Sequence, residues 1–174
     1  MRVVVGYFDA VARGNKLYWD EPRSYTRELE NYESDPASRE VLDRLHPDIR
    51  WRNVLRETRR GKLAFARGID DLLQAAQRFE MVVDEITDVA NDRLLAELRS
   101  EATGRSSGVA GTLHFFAVFA LRDGLIIEID EYLNRSEALK AVGWRSNDVT
   151  GERGSCRAVV SDSRRGLGLT LPRR

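Results

Sequence analysis

The chain of 174 residues contains a single cysteine, Cys156, so neither an intrachain disulfide nor a cysteine-built metal cluster can form. Histidine is almost as scarce. His46 and His114 stand at no ligand spacing from each other, and no metal site is expected. Net charge is missing too, because 28 basic and 28 acidic residues cancel. That balance removes the general attraction of a nucleic-acid binder, and no basic-aromatic alternation offers stacking platforms for bases. No run approaches the ~20 consecutive apolar residues of a membrane span. The opening Val3-Val4-Val5 is broken by Gly6 and followed by Asp9, unlike a secretory leader. These absences lead to the expectation of a soluble cytoplasmic protein with no organic cofactor, no membrane and no specific nucleic-acid partner.

The charge that is present is unevenly placed. Residues 145–174 hold seven arginines against Asp148, Glu152 and Asp162, a net of +4, which leaves −4 for residues 1–144. The same stretch is rich in Gly and Ser and has no sustained apolar period, so it reads as a disordered basic tail following one domain of residues 1–144.

Within that domain the apolar spacing alternates between helix and strand. Val4, Tyr7, Phe8 and Val11 recur at helical spacing, with a stop expected at Gly14-Asn15. Ser24 can cap a short turn carrying Tyr25, Leu29 and Tyr32. Asp35-Pro36 opens a helix that buries Val41, Leu42 and Leu45 and must end near His46, ahead of Pro47. Residues 49–55 alternate as a strand, Arg59-Arg60-Gly61 reads as a loop, and a helix is expected from about Ile69 to Phe79. Four strands follow, at about 80–89, 93–103, 112–121 and 125–133. Asp123-Gly124 is a strong hairpin signal, since both turn positions favour positive φ. The Gly104 to Gly108 segment lacks the strand-to-helix setting of a phosphate loop and reads as a hairpin connection. Asn134 with Glu137 resembles a capping box, and Gly143 closes the last helix. Helices gathered on one side of an antiparallel meander give an α+β class.

Four pieces in this order carry a family resemblance: Tyr7 to Asn15, Asp48-Ile49-Arg50-Trp51, Ala66-Arg67-Gly68, and Asp123-Gly124 with Glu131-Tyr132 and Glu137-Ala138-Leu139. Together they resemble the SnoaL-like branch of the nuclear transport factor 2-like superfamily, whose relatives include ketosteroid isomerase and limonene epoxide hydrolase. The resemblance implies a cone-like curved antiparallel sheet, wrapped by about three helices around one apolar pocket for a small metabolite. Reactions in such a pocket need a carboxylate and a donor for developing oxyanion charge. Against ketosteroid isomerase, Tyr7 falls at the oxyanion tyrosine, but Asn53 stands near the base and Ala117 near the acid donor, so two of three roles are missing. Against limonene epoxide hydrolase, Arg99, Glu101 and Glu131 are the nearest match to its water-activating set.

The residues expected to carry catalysis are therefore Arg99, Glu101, Glu131 and Tyr7, with Trp51, Asn53, Phe119 and Tyr132 contacting the ligand. Two functions follow: an acid–base enzyme of cyclase or hydrolase type, or a non-catalytic ligand-binding or dimerisation module of the same fold. Along residues 112–121 both faces are apolar, which points to a homodimer that meets sheet to sheet.

Overall fold

The computed structural model describes residues 1–20, 36–90, 92–143 and 157–159. Two helices open the chain, α1 over Arg2–Asp20 and α2 over Pro36–Asp43. Strands β1 (Leu45–Arg52) and β2 (Thr58–Arg60) lead into α3 (Lys62–Ala75). A long meander follows, β3 (Ala76–Ala90), β4 (Arg93–Gly104), β5 (Ala110–Arg122) and β6 (Leu125–Tyr132). Helix α4 (Arg135–Ala141) comes next, and β7 (Arg157–Val159) pairs with β3. The strands form one sheet in the order β2-β1-β6-β5-β4-β3-β7, antiparallel throughout except for β1 beside β6. Register shifts interrupt the β3–β4 ladder at three places, and such bulges bend and twist a strand, curving the sheet into a cone. The class is α+β, as expected. No helix among the described residues is long and apolar enough to cross a membrane.

The main core fills the concave side. Val4, Tyr7 and Phe8 of α1, Val41 and Leu42 of α2, and Phe65 and Leu73 of α3 pack onto Leu98, Phe115, Phe119 and Ile129 of the sheet. Each strand contributes alternate residues, the geometry that lets one sheet face be apolar. The convex side carries a smaller cluster of Val89, Leu95, Val118 and Tyr132, on which Ala138 of α4 sits fully buried. Cover that the sequence assigned to a second copy is thus supplied, over Leu95 and Val118, by the chain's own last helix.

Several boundaries differ from expectation. Helix α1 runs through Gly14-Asn15 to Asp20, because an interior glycine costs a helix only about 1 kcal/mol against alanine. Helix α2 stops at Asp43, and residues 45–47 are already strand, the extended geometry that Pro47 asks of the residue before it. Helix α3 begins at Lys62, seven residues before Ile69, and ends at Ala75, so Ala76 and Phe79 belong to β3. Its start carries no side-chain cap, only Gly61 at φ 80°, so the usual polar start signal is missing. Arg59-Arg60, read as loop, is part of β2. The Asp123-Gly124 turn has φ of 53° and 76°, both positive as the hairpin requires, and Asn134 caps α4 by accepting the Ser136 N–H at 2.8 Å. The Ser24 turn lies outside the described residues, as does the 145–174 tail apart from β7.

Candidate functional site

A cavity of about 360 Å³ lies between the concave sheet and helices α1 and α3. Its walls are mostly aromatic and aliphatic: Tyr7, Trp51, Phe65, Phe115, Phe119 and Ile129 among them. Alternation along β6 decides which acid enters. Ile129 faces inward opposite Phe119, so Glu131, two residues on and opposite Ala117, faces inward as well.

Glu131 is gripped at both carboxylate oxygens. The Trp51 indole N–H donates to Oε1 at 2.9 Å and the Val54 backbone N–H donates to Oε2 at 3.1 Å. Its desolvating surroundings push the pKa from 4.5 up to about 7, against the downward pull of those two hydrogen bonds and with a small upward push from Asp130. Hydrogen bonds to a charged group are worth about 1.5–3 kcal/mol each, yet desolvation together with Asp130 outweighs both, by the ~3 kcal/mol that the net rise is equivalent to. The result is a carboxyl poised to take and return a proton near neutral pH.

Both donors owe their aim to local structure. Trp51 packs tilted against Phe65 of α3, ring centroids 5.2 Å apart. Gly68 of the same helix lets the indole approach, since a Cβ there would lie 2.5 Å from Trp51 Cζ3. Val54 is presented by the 53–57 loop, which Asn53 braces: its Oδ1 accepts the N–H groups of Leu55 and Glu57, each at 3.0 Å. Arg56 clamps the loop to β6, donating to the Glu131 carbonyl at 3.3 Å with its guanidinium 4.8 Å from the Tyr132 ring centre. At the mouth Arg59 pairs with Asp71 at 3.0 Å, beside the exposed side chains of Leu55 and Leu72.

The structure brings together Tyr7, Trp51, Asn53, Phe119 and Glu131 as lining residues. Asn53 serves as the loop's brace. Arg99 and Glu101 are not in the cavity. Their neighbours Leu98 and Ser100 face it, so strand alternation turns Arg99 and Glu101 to the convex side, where Arg99 meets Asp84 at 3.2 Å and Glu101 at 3.8 Å. The triad of Arg99, Glu101 and Glu131 therefore does not assemble. Tyr132 is misassigned for the same reason: as the neighbour of an inward Glu131 it must point outward. Its hydroxyl donates to Asp130 at 2.9 Å and accepts from Arg52 at 3.3 Å, and Arg52 in turn pairs with Asp130.

Sequence reasoning missed the Val54 N–H, Ser100 and the indole donor of Trp51. A backbone donor has no sequence signal. Ser100 had one, as the polar member of the apolar row Leu94, Ala96, Leu98. Among the described residues no group of three or more His, Cys, Asp or Glu is arranged to hold a metal.

Residues 26–129 match the family described as the SnoaL-like domain. No curated protein matches the sequence. Among solved structures, a nuclear transport factor 2-like protein of unknown function from Burkholderia pseudomallei is 19% identical with a TM-score of 0.56, covering 82% of this chain and 95% of that one. A candidate polyketide cyclase from Pseudomonas putida is 18% identical with a TM-score of 0.56, over 79% and 93% of the two chains. TerC, crystallised with polyporic acid, is 15% identical with a TM-score of 0.55, over 82% and 96%. At these identities the likeness is one of fold.

Proposed function

This chain belongs to the SnoaL-like domain family, in the nuclear transport factor 2-like superfamily, and we propose that its cavity binds a small, largely apolar metabolite on which Glu131 carries out proton transfer. The observation that carries this reading is the carboxyl of Glu131, held at both oxygens in an apolar wall with its pKa raised to about 7. An ionised Glu131 removes a proton from a carbon beside a carbonyl, and the protonated acid returns it after the new bond has formed. Enolate oxygen developing in that step needs a donor, a part we give to the Tyr7 hydroxyl on the same cavity wall. An aldol-type cyclisation or an isomerisation fits a single carboxyl. Water addition of the epoxide-hydrolase kind asks for the partners that Arg99 and Glu101 would have supplied from the cavity side. The candidate cyclase among the structural neighbours is compatible with the first of these.

A second reading, a binding module without turnover, is favoured by one observation: Asn53, near which the resemblance to ketosteroid isomerase puts the base, is spent on bracing its own loop. One experiment separates the two. Native mass spectrometry of protein from its own host identifies the retained ligand, which is then incubated with the protein in deuterated water. Exchange of a carbon-bound proton with wild type, abolished in Glu131→Gln while ligand affinity stays within about threefold, is the enzyme's signature. A ligand that binds without exchange, or exchanges equally in the variant, leaves the binding module.

The proposal extends to setting and assembly. A cytoplasmic homodimer is our reading, with the convex face meeting a second copy where Phe116 is half-buried and Leu133 is exposed at the edge of α4.

A further inference from the structure

Ser100 is the one buried polar side chain in the inward row of β4, flanked by Leu98 and opposite Met81 and Leu113. It is 8% exposed and it lines the cavity. A hydroxyl set among apolar side chains on a cavity wall is one of the few polar groups there that can fix the orientation of an occupant. Its place relative to Glu131 follows from register. Ser100 faces Leu113 of β5 and Glu131 faces Ala117 of the same strand, four residues away, from the opposite side of β5. At ~3.3 Å per residue and ~4.8 Å per strand, the two backbone positions are ~16 Å apart. Aromatic and aliphatic side chains, Phe115, Phe119 and Leu98 among them, line the walls of the same cavity.

We infer that Ser100 is a second polar anchor at the far end of the cavity, and that the site selects elongated, flat molecules with a hydroxyl or carbonyl oxygen at each end. With the two side-chain oxygens taken to stand over their backbone positions, and ~3 Å allowed for a hydrogen bond at either terminus, the ligand's two oxygens stand ~10 Å apart. One oxygen meets Glu131 and the other meets Ser100, while the rings between them lie on the aromatic wall. This rests on the proposed binding of an apolar metabolite and deepens it, because a ligand anchored at Glu131 alone would leave length and far-end chemistry unselected.

Two rigid probes test it by isothermal titration calorimetry: 4-hydroxybiphenyl, with one terminal oxygen, and 4,4′-dihydroxybiphenyl, with two. Wild type is expected to bind the diol about fivefold more tightly than the mono-ol, the value of one net hydrogen bond. Ser100→Ala is expected to erase that preference while binding the mono-ol as wild type does, which also shows the cavity intact. Equal binding of the two probes by wild type, or a preference that survives in Ser100→Ala, overturns the anchor. Loss of mono-ol binding in Ser100→Ala assigns the residue to packing and overturns it as well. If wild type binds neither probe, the apolar-metabolite reading fails and this inference falls with it.

Discussion

The smallest decisive unit is the pair of donors on Glu131. The Trp51 indole and the Val54 amide both hold its pKa down against the desolvation that raises it to about 7. Trp51→Phe keeps most of the ring and removes the donor, a loss of about 1.5–3 kcal/mol that falls on the ionised form alone. The Glu131 titration midpoint is therefore expected to rise, read as a carboxyl band in infrared spectra with Glu131→Gln as reference. An unchanged midpoint would mean that the indole contributes nothing to the acid. Which residues form this site was partly legible. Glu131 follows from the inward phase of Ile127 and Ile129, and Trp51 and Phe119 from their apolar neighbours. Tyr132 cannot share a strand face with Glu131, and the apolar row of β4 is even-numbered, so both Tyr132 and the Arg99–Glu101 pair were open to exclusion by alternation alone. The family template led in the other direction.

At the scale of elements, the 53–57 loop couples the sheet to the acid. Asn53→Ala removes the acceptor for Leu55 and Glu57 and is expected to cost about 1–2 kcal/mol of stability. It should also speed amide hydrogen exchange at residues 54–57 and raise the Glu131 midpoint as the Val54 N–H drifts away. Slow exchange with an unaltered midpoint would show that Arg56 alone holds the loop. Strong local signals made the elements readable: the positive-φ pair Asp123-Gly124, the Asn134 cap, and the restriction of Pro47 on its predecessor. The start of helix α3 is not legible in the sequence, because Gly61 offers no side chain to announce it. Three-residue β2 was missed because its strand character comes from pairing with Arg50, Trp51 and Arg52, a tertiary fact.

Over the whole molecule, one curved sheet serves two surfaces, a concave one that forms the cavity and a convex one sheltered in part by α4. The cone was legible because helix-helix-strand-helix followed by a meander leaves few ways to bury both helix stripes and strand faces. The share of the convex face that α4 covers was not, since both faces of β5 are apolar and sequence alone does not say what meets each. Light scattering at micromolar concentration is expected to give twice 19.8 kDa, and a single copy's mass would remove the dimer. The central claim concerns Glu131 as a neutral-range acid, and global stability reports on it directly. A carboxyl whose folded pKa is raised from 4.5 to about 7 binds its proton more tightly in the folded state. Its contribution is complete below the unfolded value and is lost as the pH rises to about 7. Urea unfolding of wild type and Glu131→Gln from pH 4.5 to pH 8 is expected to show wild type losing about 3 kcal/mol relative to the variant. Parallel stability curves across that window would contradict the account.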